Sequence, residues 1–246
     1  MIKILNMNHL FNIEKGDVVS IVGSGGKTSL LFFLAAELKL DYGVLVTTSA
    51  KILKPSIDKY DYLYTNIEGF INSNLKVKNN ITVISKSINK ENNKLIGIDD
   101  NDLEKVISYF DVILIEADGS RKLPIKGWKS HEPPVLMKTN KTIGVIPIQV
   151  LGKKIETGLI YGLEEFKMFA QNNEFINEEV IKNICVSEKG LFKNSTKEKY
   201  LFINQVDDDY SMEKSIKLAE YLRLNIDNIG FKIVIGSLHK GKFYEY

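Results

Sequence analysis

Residues 18–31 read Val-Val-Ser-Ile-Val-Gly-Ser-Gly-Gly-Lys-Thr-Ser-Leu-Leu, and this stretch decides most of what the sequence predicts. It consists of an apolar strand, a glycine-rich turn and an apolar helix that opens with Lys27 and Thr28. Glycines let a backbone turn its N–H groups toward a phosphate at torsions that a Cβ would oppose. The N-terminus of the following helix adds unpaired N–H groups and a positive dipole end. The order of these parts predicts a phosphate-binding loop.

The predicted loop is shorter than the Walker pattern G-x-x-x-x-G-K-[ST], whose first glycine would fall at Ile21, inside the strand. The short form G-x-x-G-K-T resembles the phosphate loop of the Mur ligases more than that of the Ras-like GTPases. We expect Lys27 to neutralise the β- and γ-phosphates and Thr28 to offer its hydroxyl to Mg²⁺. The predicted nucleotide-binding residues of the loop are Gly23, Ser24, Gly25, Gly26, Lys27, Thr28 and Ser29. The alternative is a glycine-rich turn with a surface lysine.

Composition narrows the class of protein. Of the 246 residues, 44% are apolar and 26% are charged, which is typical of a globular chain with a sizeable core. The net charge of +2 provides no basic field, so we expect no nucleic acid and no membrane partner and favour a small anionic ligand. The single Cys185 excludes an internal disulfide, and its apolar neighbours predict a buried, inert thiol. The chain has no signal pattern and no apolar run of membrane-spanning length, which predicts a cytoplasmic protein.

Apolar runs alternate with helical periods along the chain, as repeated βα units do. The pattern predicts an α/β fold of the P-loop NTPase type, a mostly parallel sheet flanked by helices, as a single domain over residues 1–246. Ile81–Ile98 has an asparagine-rich turn and predicts a small β-hairpin, within an inserted β element at about residues 55–98. The predicted strands are Val18–Val22, Val44–Thr48, Tyr60–Tyr64, Ile81–Ser85, Val112–Glu116, Thr142–Ile146, Tyr200–Asn204 and Phe231–Ile235. The predicted helices are Lys27–Leu40, Asp102–Tyr109, Leu163–Gln171, Glu178–Cys185 and Met212–Leu222.

Two carboxylates follow the predicted strand Val112–Glu116. Glu116 and Asp118 stand two residues apart, so both point to one face while the strand continues. In phosphate-loop proteins such a carboxylate holds Mg²⁺ opposite the loop threonine, and a second one can orient or deprotonate a nucleophile. We therefore expect Thr28, Glu116 and Asp118 as metal ligands, with the division of tasks between the carboxylates left open. The alternative is an Asp-Gly turn without function.

Basic residues come next in the chain. A guanidinium can clamp a transferring phosphoryl group, which makes Arg121 a candidate. The predicted catalytic residues are therefore Lys27, Glu116, Asp118 and Arg121. Lys126 is a weaker candidate for the same task. The alternative for the basic residues is a solvated loop.

Two further clusters stand near the predicted strand ends. Thr47–Lys51 presents hydroxyls and a lysine that could contact phosphate, metal or substrate, and it equally fits the start of a helix. His131 and Glu132 could bind a metal or relay a proton. A lone His-Glu pair is more often structural, so both interpretations stay open.

Asn204 and Asp207 close a predicted strand with the pattern N-Q-x-D. GTP-binding proteins read guanine with N-K-x-D, in which the aspartate accepts hydrogen bonds from N1 and N2 of the base. Gln205 replaces that lysine here. We include Asn204 and Asp207 among the nucleotide-binding residues, with an acidic turn before the helix near Met212 as the alternative.

Together these motifs resemble the YqeC family, accessory proteins of selenium-dependent molybdenum hydroxylases. The joint order of G-S-G-G-K-T, E-A-D-G-S-R, H-E-P-P and N-Q-V-D is more specific than any one of them. Relatives tend to carry an arginine after the position of Gly158, where this chain has Leu159-Ile160-Tyr161-Gly162. The resemblance runs through Ile21–Leu31, Thr47–Ile52, Glu116–Lys126, His131–Val135 and Asn204–Asp207.

The motifs point to ATP or GTP with Mg²⁺, and the resemblance implies a part in maturing a molybdenum hydroxylase. That enzyme or its cofactor-maturation proteins would be the partners. We expect an NTPase that drives this maturation. One alternative is a phosphotransferase or Mur-like ligase acting on a small cofactor or selenium species. The other is a chaperone or scaffold that binds the nucleotide without hydrolysing it.

Overall fold

A computed structural model describes residues 6–195 and 197–246. The helices are α1 (Met7–Leu10), α2 (Lys27–Leu38), α3 (Ile67–Ile71), α4 (Asp100–Val106), α5 (Leu163–Ala170), α6 (Glu178–Val186) and α7 (Asp209–Asn225). The strands are β1 (Val18–Gly23), β2 (Val44–Thr48), β3 (Lys51–Leu53), β4 (Tyr62–Tyr64), β5 (Ile81–Ile84), β6 (Ser87–Asn89), β7 (Lys94–Ile96), β8 (Val112–Glu116), β9 (Ile125–Lys126), β10 (Lys141–Pro147), β11 (Ile160–Tyr161), β12 (Glu198–Asn204), β13 (Lys232–Ser237) and β14 (Lys242–Glu245). Short 3₁₀ turns lie at Ile57–Lys59, Ile107–Tyr109 and Ile148–Val150.

The main sheet has nine strands in the order β14-β13-β12-β10-β1-β8-β2-β5-β4. Every described pair in it is parallel except β13 with β14, which pairs antiparallel at one edge. Strand β1, which leads into the predicted phosphate loop, lies between β8 and β10. The ends of these neighbours therefore adjoin the loop.

Both faces of the sheet are covered, which explains the continuous apolar runs of its central strands. On one face Val19 and Ile21 of β1 pack in a cluster with helices α1 and α2. On the other face Val18 packs with α3 and α4, and Val22 packs with α5, α6 and α7. The predicted α/β fold, a mostly parallel sheet flanked by helices, is confirmed.

The eight predicted strands are all present, but the predicted β-hairpin begins too early. Ile81–Ile84 lies in the main sheet, parallel to β2 and β4. The hairpin consists of β6 and β7, and it pairs with β3 in a separate three-stranded antiparallel sheet. An apolar run cannot show which strand it pairs with, and the parallel partner β2 lies far back along the chain.

Several short elements carry no sequence signal of their own. The prediction missed α1, α3 and the edge strand β14, and it also missed the two-residue strands β9 and β11, which pair with each other. Helix α7 begins at Asp209, a turn before the predicted Met212. Among residues 6–195 and 197–246, no helix combines the length and apolar character needed to cross a membrane.

Candidate functional site

The predicted phosphate loop joins the end of β1 at Gly23 to the start of α2 at Lys27. Gly26 is the N-cap of α2 and has φ of 134°, a torsion that residues with a Cβ rarely adopt. A Cβ there would lie 2.3 Å from Nδ2 of Asn204. The loop also lies against β10, since the Ser24 N–H donates to the Val145 carbonyl at 3.0 Å. The torsion therefore favours glycine at this position, and a Cβ there would also displace the Asn204 side chain.

Lys27 lies across the loop with only 5% of its surface exposed. Its ammonium donates to the Gly23 carbonyl at 2.8 Å. Asp118 Oδ1 is 3.3 Å from the same nitrogen, and Glu116 Oε1 is 3.8 Å away. The structure thus brings together the loop lysine and both predicted carboxylates.

Glu116 is the last residue of β8, and it faces the loop threonine. The Thr28 hydroxyl donates to Glu116 Oε2 at 2.7 Å. Burial raises the pKa of the Glu116 carboxyl, and the neighbouring Lys27 and the Thr28 hydrogen bond oppose that shift. Of the two carboxylates, Glu116 is the one that contacts Thr28.

Asp118 lies beyond the end of β8 and is almost completely buried. Its Oδ2 accepts hydrogen bonds from the Gly23 N–H at 3.3 Å and the Trp128 indole N–H at 3.0 Å. Its Oδ1 has no hydrogen-bond partner within the described part of the chain. Asp118 therefore links the predicted phosphate loop to the segment that follows β9. Sequence reasoning missed Trp128, the only tryptophan in the chain, because nothing local ties it to a carboxylate ten residues earlier.

Lys126 is fully buried beside Asp118 rather than exposed in a solvated loop. Its ammonium donates to the Gly119 carbonyl at 2.8 Å and lies 3.3 Å from both Asp118 Oδ2 and Glu132 Oε2. The Tyr161 ring centre lies 5.2 Å from the same nitrogen. Lys126 therefore holds two carboxylates together within the protein.

Arg121 is not among these buried charges. It lies in an exposed turn with φ of 49°, and its guanidinium stacks 5.6 Å from the centre of the Tyr161 ring. His131 is also exposed, whereas its neighbour Glu132 is part of the Lys126 cluster. The structure brings Glu132 to the site and leaves Arg121 and His131 at the surface.

The hydroxyls at the end of β2 and just after it contact backbone carbonyl groups. The Thr47 hydroxyl donates to Ile84 and the Thr48 hydroxyl donates to Glu116, each at 2.7 Å. The Ser49 hydroxyl donates to Pro134 at 2.6 Å. These side chains fasten β2 to its neighbours and to the segment after His131. Lys51 is exposed in β3, so this cluster is not the start of a helix.

The predicted base-reading residues lie on the other side of the loop. Asn204, at the end of β12, donates from Nδ2 to the Gly25 carbonyl at 2.9 Å. Asp207 accepts a hydrogen bond at Oδ1 from the hydroxyl of Ser237, the last residue of β13. Ser237 was missed because its role depends on strand pairing. The alternative interpretation of Asp207 was an acidic residue that complements the next helix. Asp208 has that position, since its side chain caps α7.

Protein ligands for Mg²⁺ are present in part. Mg²⁺ in nucleotide sites takes one or two carboxylates and completes its shell with phosphates and water. Within the described ranges, no group of three or more His, Cys, Asp or Glu side chains is arranged to hold a metal alone. Thr28, Glu116 and the Asp118 Oδ1 atom, which accepts no hydrogen bond there, fit a metal that arrives with a nucleotide.

Comparison with known proteins identifies the family to which the chain belongs. A family model described as YqeC protein matches residues 19–164, more than half of the sequence. The chain belongs to the YqeC family. A curated relative, the YqeC protein of Escherichia coli (strain K12), is 31% identical over 156 residues, which cover 62% of this chain and 60% of the relative. The chain therefore matches about three fifths of that protein's length.

The region that the family model matches contains most of the candidate site. Residues 19–164 contain the predicted phosphate loop, Glu116, Asp118, Lys126 and Glu132, whereas Asn204 lies beyond them. Neither the family description nor the relative's name specifies a reaction. Any activity must therefore be argued from the geometry of this chain.

Proposed function

We propose that this YqeC protein binds a nucleoside triphosphate with Mg²⁺ and hydrolyses its γ-phosphate slowly, or when a partner prompts it. The observation that carries the proposal is the convergence on Lys27 of the loop carbonyl of Gly23 and two buried carboxylates. A buried lysine between carboxylates at the start of a helix is a cation that phosphate oxygens can recruit. ATP and GTP are both candidate nucleotides for this site.

Each residue of the cluster has a task in this proposal. Residues 23–28 would surround the phosphates with backbone N–H groups, and Lys27 would leave the Gly23 carbonyl to neutralise them. Thr28 and Glu116, already in contact at 2.7 Å, would hold Mg²⁺, which would polarise the phosphoryl oxygens. Asp118, through Oδ1, would hold a water of the metal shell or orient the attacking water.

The surroundings of Asp118 favour slow turnover. Its Oδ2 already accepts two hydrogen bonds and contacts Lys126, so this oxygen has no free lone pair with which to orient an attacking water. Arg121, the candidate clamp for a transferring phosphoryl group, lies at the surface over Tyr161. A partner that moved Arg121 inward would supply the missing charge.

The biological role we propose is maturation of a selenium-dependent molybdenum hydroxylase, with that enzyme or its cofactor-maturation proteins as partners. Support for this role comes from the family resemblance alone. A transferase or ligase acting on a small cofactor or selenium species would use the same phosphate site, and a scaffold would bind without turnover. Formation of the nucleoside diphosphate distinguishes the three, because it occurs without an acceptor, only with one, or not at all.

The test is equilibrium binding of Mg-ATP and Mg-GTP, followed by phosphate release. Lys27→Ala should weaken binding by about 100-fold, since one charge-assisted contact is worth up to about 3 kcal/mol. Lys39→Ala is the matched control, because Lys39 lies at the opposite end of the same helix. Equal affinities of the wild type and Lys27→Ala would show that the loop is not the phosphate site.

A further inference from the structure

We infer that a guanine-selective base site lies on the side of the loop away from Glu116 and Asp118. Asn204, Asp207 and Ser237 form this site. The inference rests on the proposed nucleotide site and identifies which nucleotide that site takes. Ser237 lies at the end of β13, outside any motif recognised in the sequence.

The strand order fixes the direction in which a bound nucleotide would extend. Glu116, which fits the metal and the outer phosphates, ends β8 on one side of β1. β10, β12 and β13 follow on the other side, and β12 lies about 10 Å from β1 at the usual strand spacing. A nucleotide with its γ-phosphate beside Glu116 therefore directs its sugar and base toward the ends of β12 and β13.

Asn204 connects that side to the phosphate loop. Its amide nitrogen donates to the Gly25 carbonyl, and its amide oxygen faces the Leu238 N–H at 3.5 Å. Leu238 also lies close to the loop, since its Cδ1 is 3.6 Å from where a Cβ on Gly26 would be. The loop, β12 and the turn after β13 thus meet at one place, where Asn204 is 4% exposed.

Asp207 is exposed and is held in position by a buried hydroxyl. Ser237, fully buried, donates to Asp207 Oδ1 and accepts a hydrogen bond from the Lys240 N–H at 2.9 Å. Within the described residues Asp207 Oδ2 accepts no hydrogen bond, which leaves it open to a ligand. Because Asp208 already caps α7, Asp207 is free from that task.

The donor pattern of the bases decides which one fits. Guanine presents N1–H and the 2-amino group side by side, so it can donate twice to one carboxylate. Adenine presents an acceptor at N1, which a carboxylate repels. A polar site of this kind rejects a base that leaves its groups unpaired. Asp207 therefore favours GTP.

The experiment is calorimetric titration of the full chain with Mg-GTP, Mg-ATP and Mg-XTP, whose xanthine base carries a 2-oxo group. The wild type should prefer GTP over ATP by about 10- to 100-fold. Asp207→Asn offers one acceptor and one donor, so it should lose that preference and bind XTP more tightly than GTP. Ser237→Ala, which alters a positioning residue, should reduce the GTP-to-ATP ratio while ATP affinity stays constant. Asp209→Asn, an exposed neighbour, is the control and should keep the wild-type preference.

Two failures can be told apart. Equal affinities for GTP and ATP, both lost in Lys27→Ala, would overturn the base site and leave the phosphate site standing. The base site would also be overturned if Asp207→Asn kept the wild-type order of nucleotides. Absence of binding by every nucleotide would overturn the proposed function, and the base site with it.

Discussion

Replacing Lys126 by methionine tests whether the buried charges beside the predicted phosphate loop depend on one another. The Lys126 ammonium lies 3.3 Å from each of two carboxylate oxygens, on Asp118 and Glu132. At an effective dielectric constant of about 20, each contact is worth about 5 kcal/mol in gross Coulomb energy. Desolvation of the charges offsets most of that gain. Removing Lys126 alone breaks the buried pair with Glu132 and leaves Asp118 with Lys27 as its remaining cation, and breaking a buried pair in this way costs about 3–5 kcal/mol.

Urea unfolding at neutral pH measures this loss as a change in the free energy of unfolding. Adding Glu132→Gln to Lys126→Met should recover part of the loss, because it removes one uncompensated charge. Lys141→Met is the control, since Lys141 also bridges two carboxylates, but one of these, on Glu198, is half exposed and screened by water. A loss below about 1 kcal/mol for Lys126→Met, or strict additivity in the double variant, would refute the reasoning.

Four further predictions concern single positions. Gly26→Ala should abolish nucleotide binding and destabilise the fold, whereas Gly119→Ala, with nothing within 4 Å of the new Cβ, should leave stability unchanged in thermal unfolding. Asp208→Ala should lower the melting temperature through loss of the α7 cap, while the GTP-to-ATP affinity ratio stays as in the wild type. Because burial raises the pKa of Glu116, Mg-nucleotide affinity should rise with pH as this carboxyl ionises, and Glu116→Gln should remove that dependence in titrations at several pH values. The emission of Trp128, the only tryptophan, should change on nucleotide binding, because its indole N–H donates to a carboxylate that also contacts the loop lysine.

The sequence predicted the elements whose signals are local. Val44–Thr48 and Val112–Glu116 have the predicted bounds, since continuous apolar runs mark strands buried on both faces. The turn from β1 into α2 was equally predictable, because glycines, Lys27 and an apolar helix follow one another directly. Elements that exist only through pairing, such as β9 with β11 and the edge strand β14, have no such signal.

The candidate site residues divide in the same way. The sequence placed Glu116 and Asp118 on one face of a continuing strand, but β8 ends at Glu116 and Asp118 lies beyond it. Asp118 still reaches Lys27, because the Gly23 N–H, Trp128 and Lys126 hold its Oδ2. That arrangement depends on residues far apart in the chain, which periodicity cannot reveal. Lys126 was considered as a ligand-binding lysine because burial cannot be read from a short polar segment.

Hydrogen bonds connect the loop after β1 to the ends of the neighbouring strands, and they explain why the motifs of the candidate site occur together. The predicted phosphate loop supplies the Gly23 N–H to Asp118 and the Gly25 carbonyl to Asn204, while Thr28 donates to Glu116. Each of these contacts thus pairs a polar group of the loop with a side chain at or just beyond the end of a neighbouring strand. The loop conformation in turn depends on the ends of β8 and β12, on opposite sides of β1. A change at either end should therefore alter phosphate binding, even where the substituted side chain never touches a nucleotide.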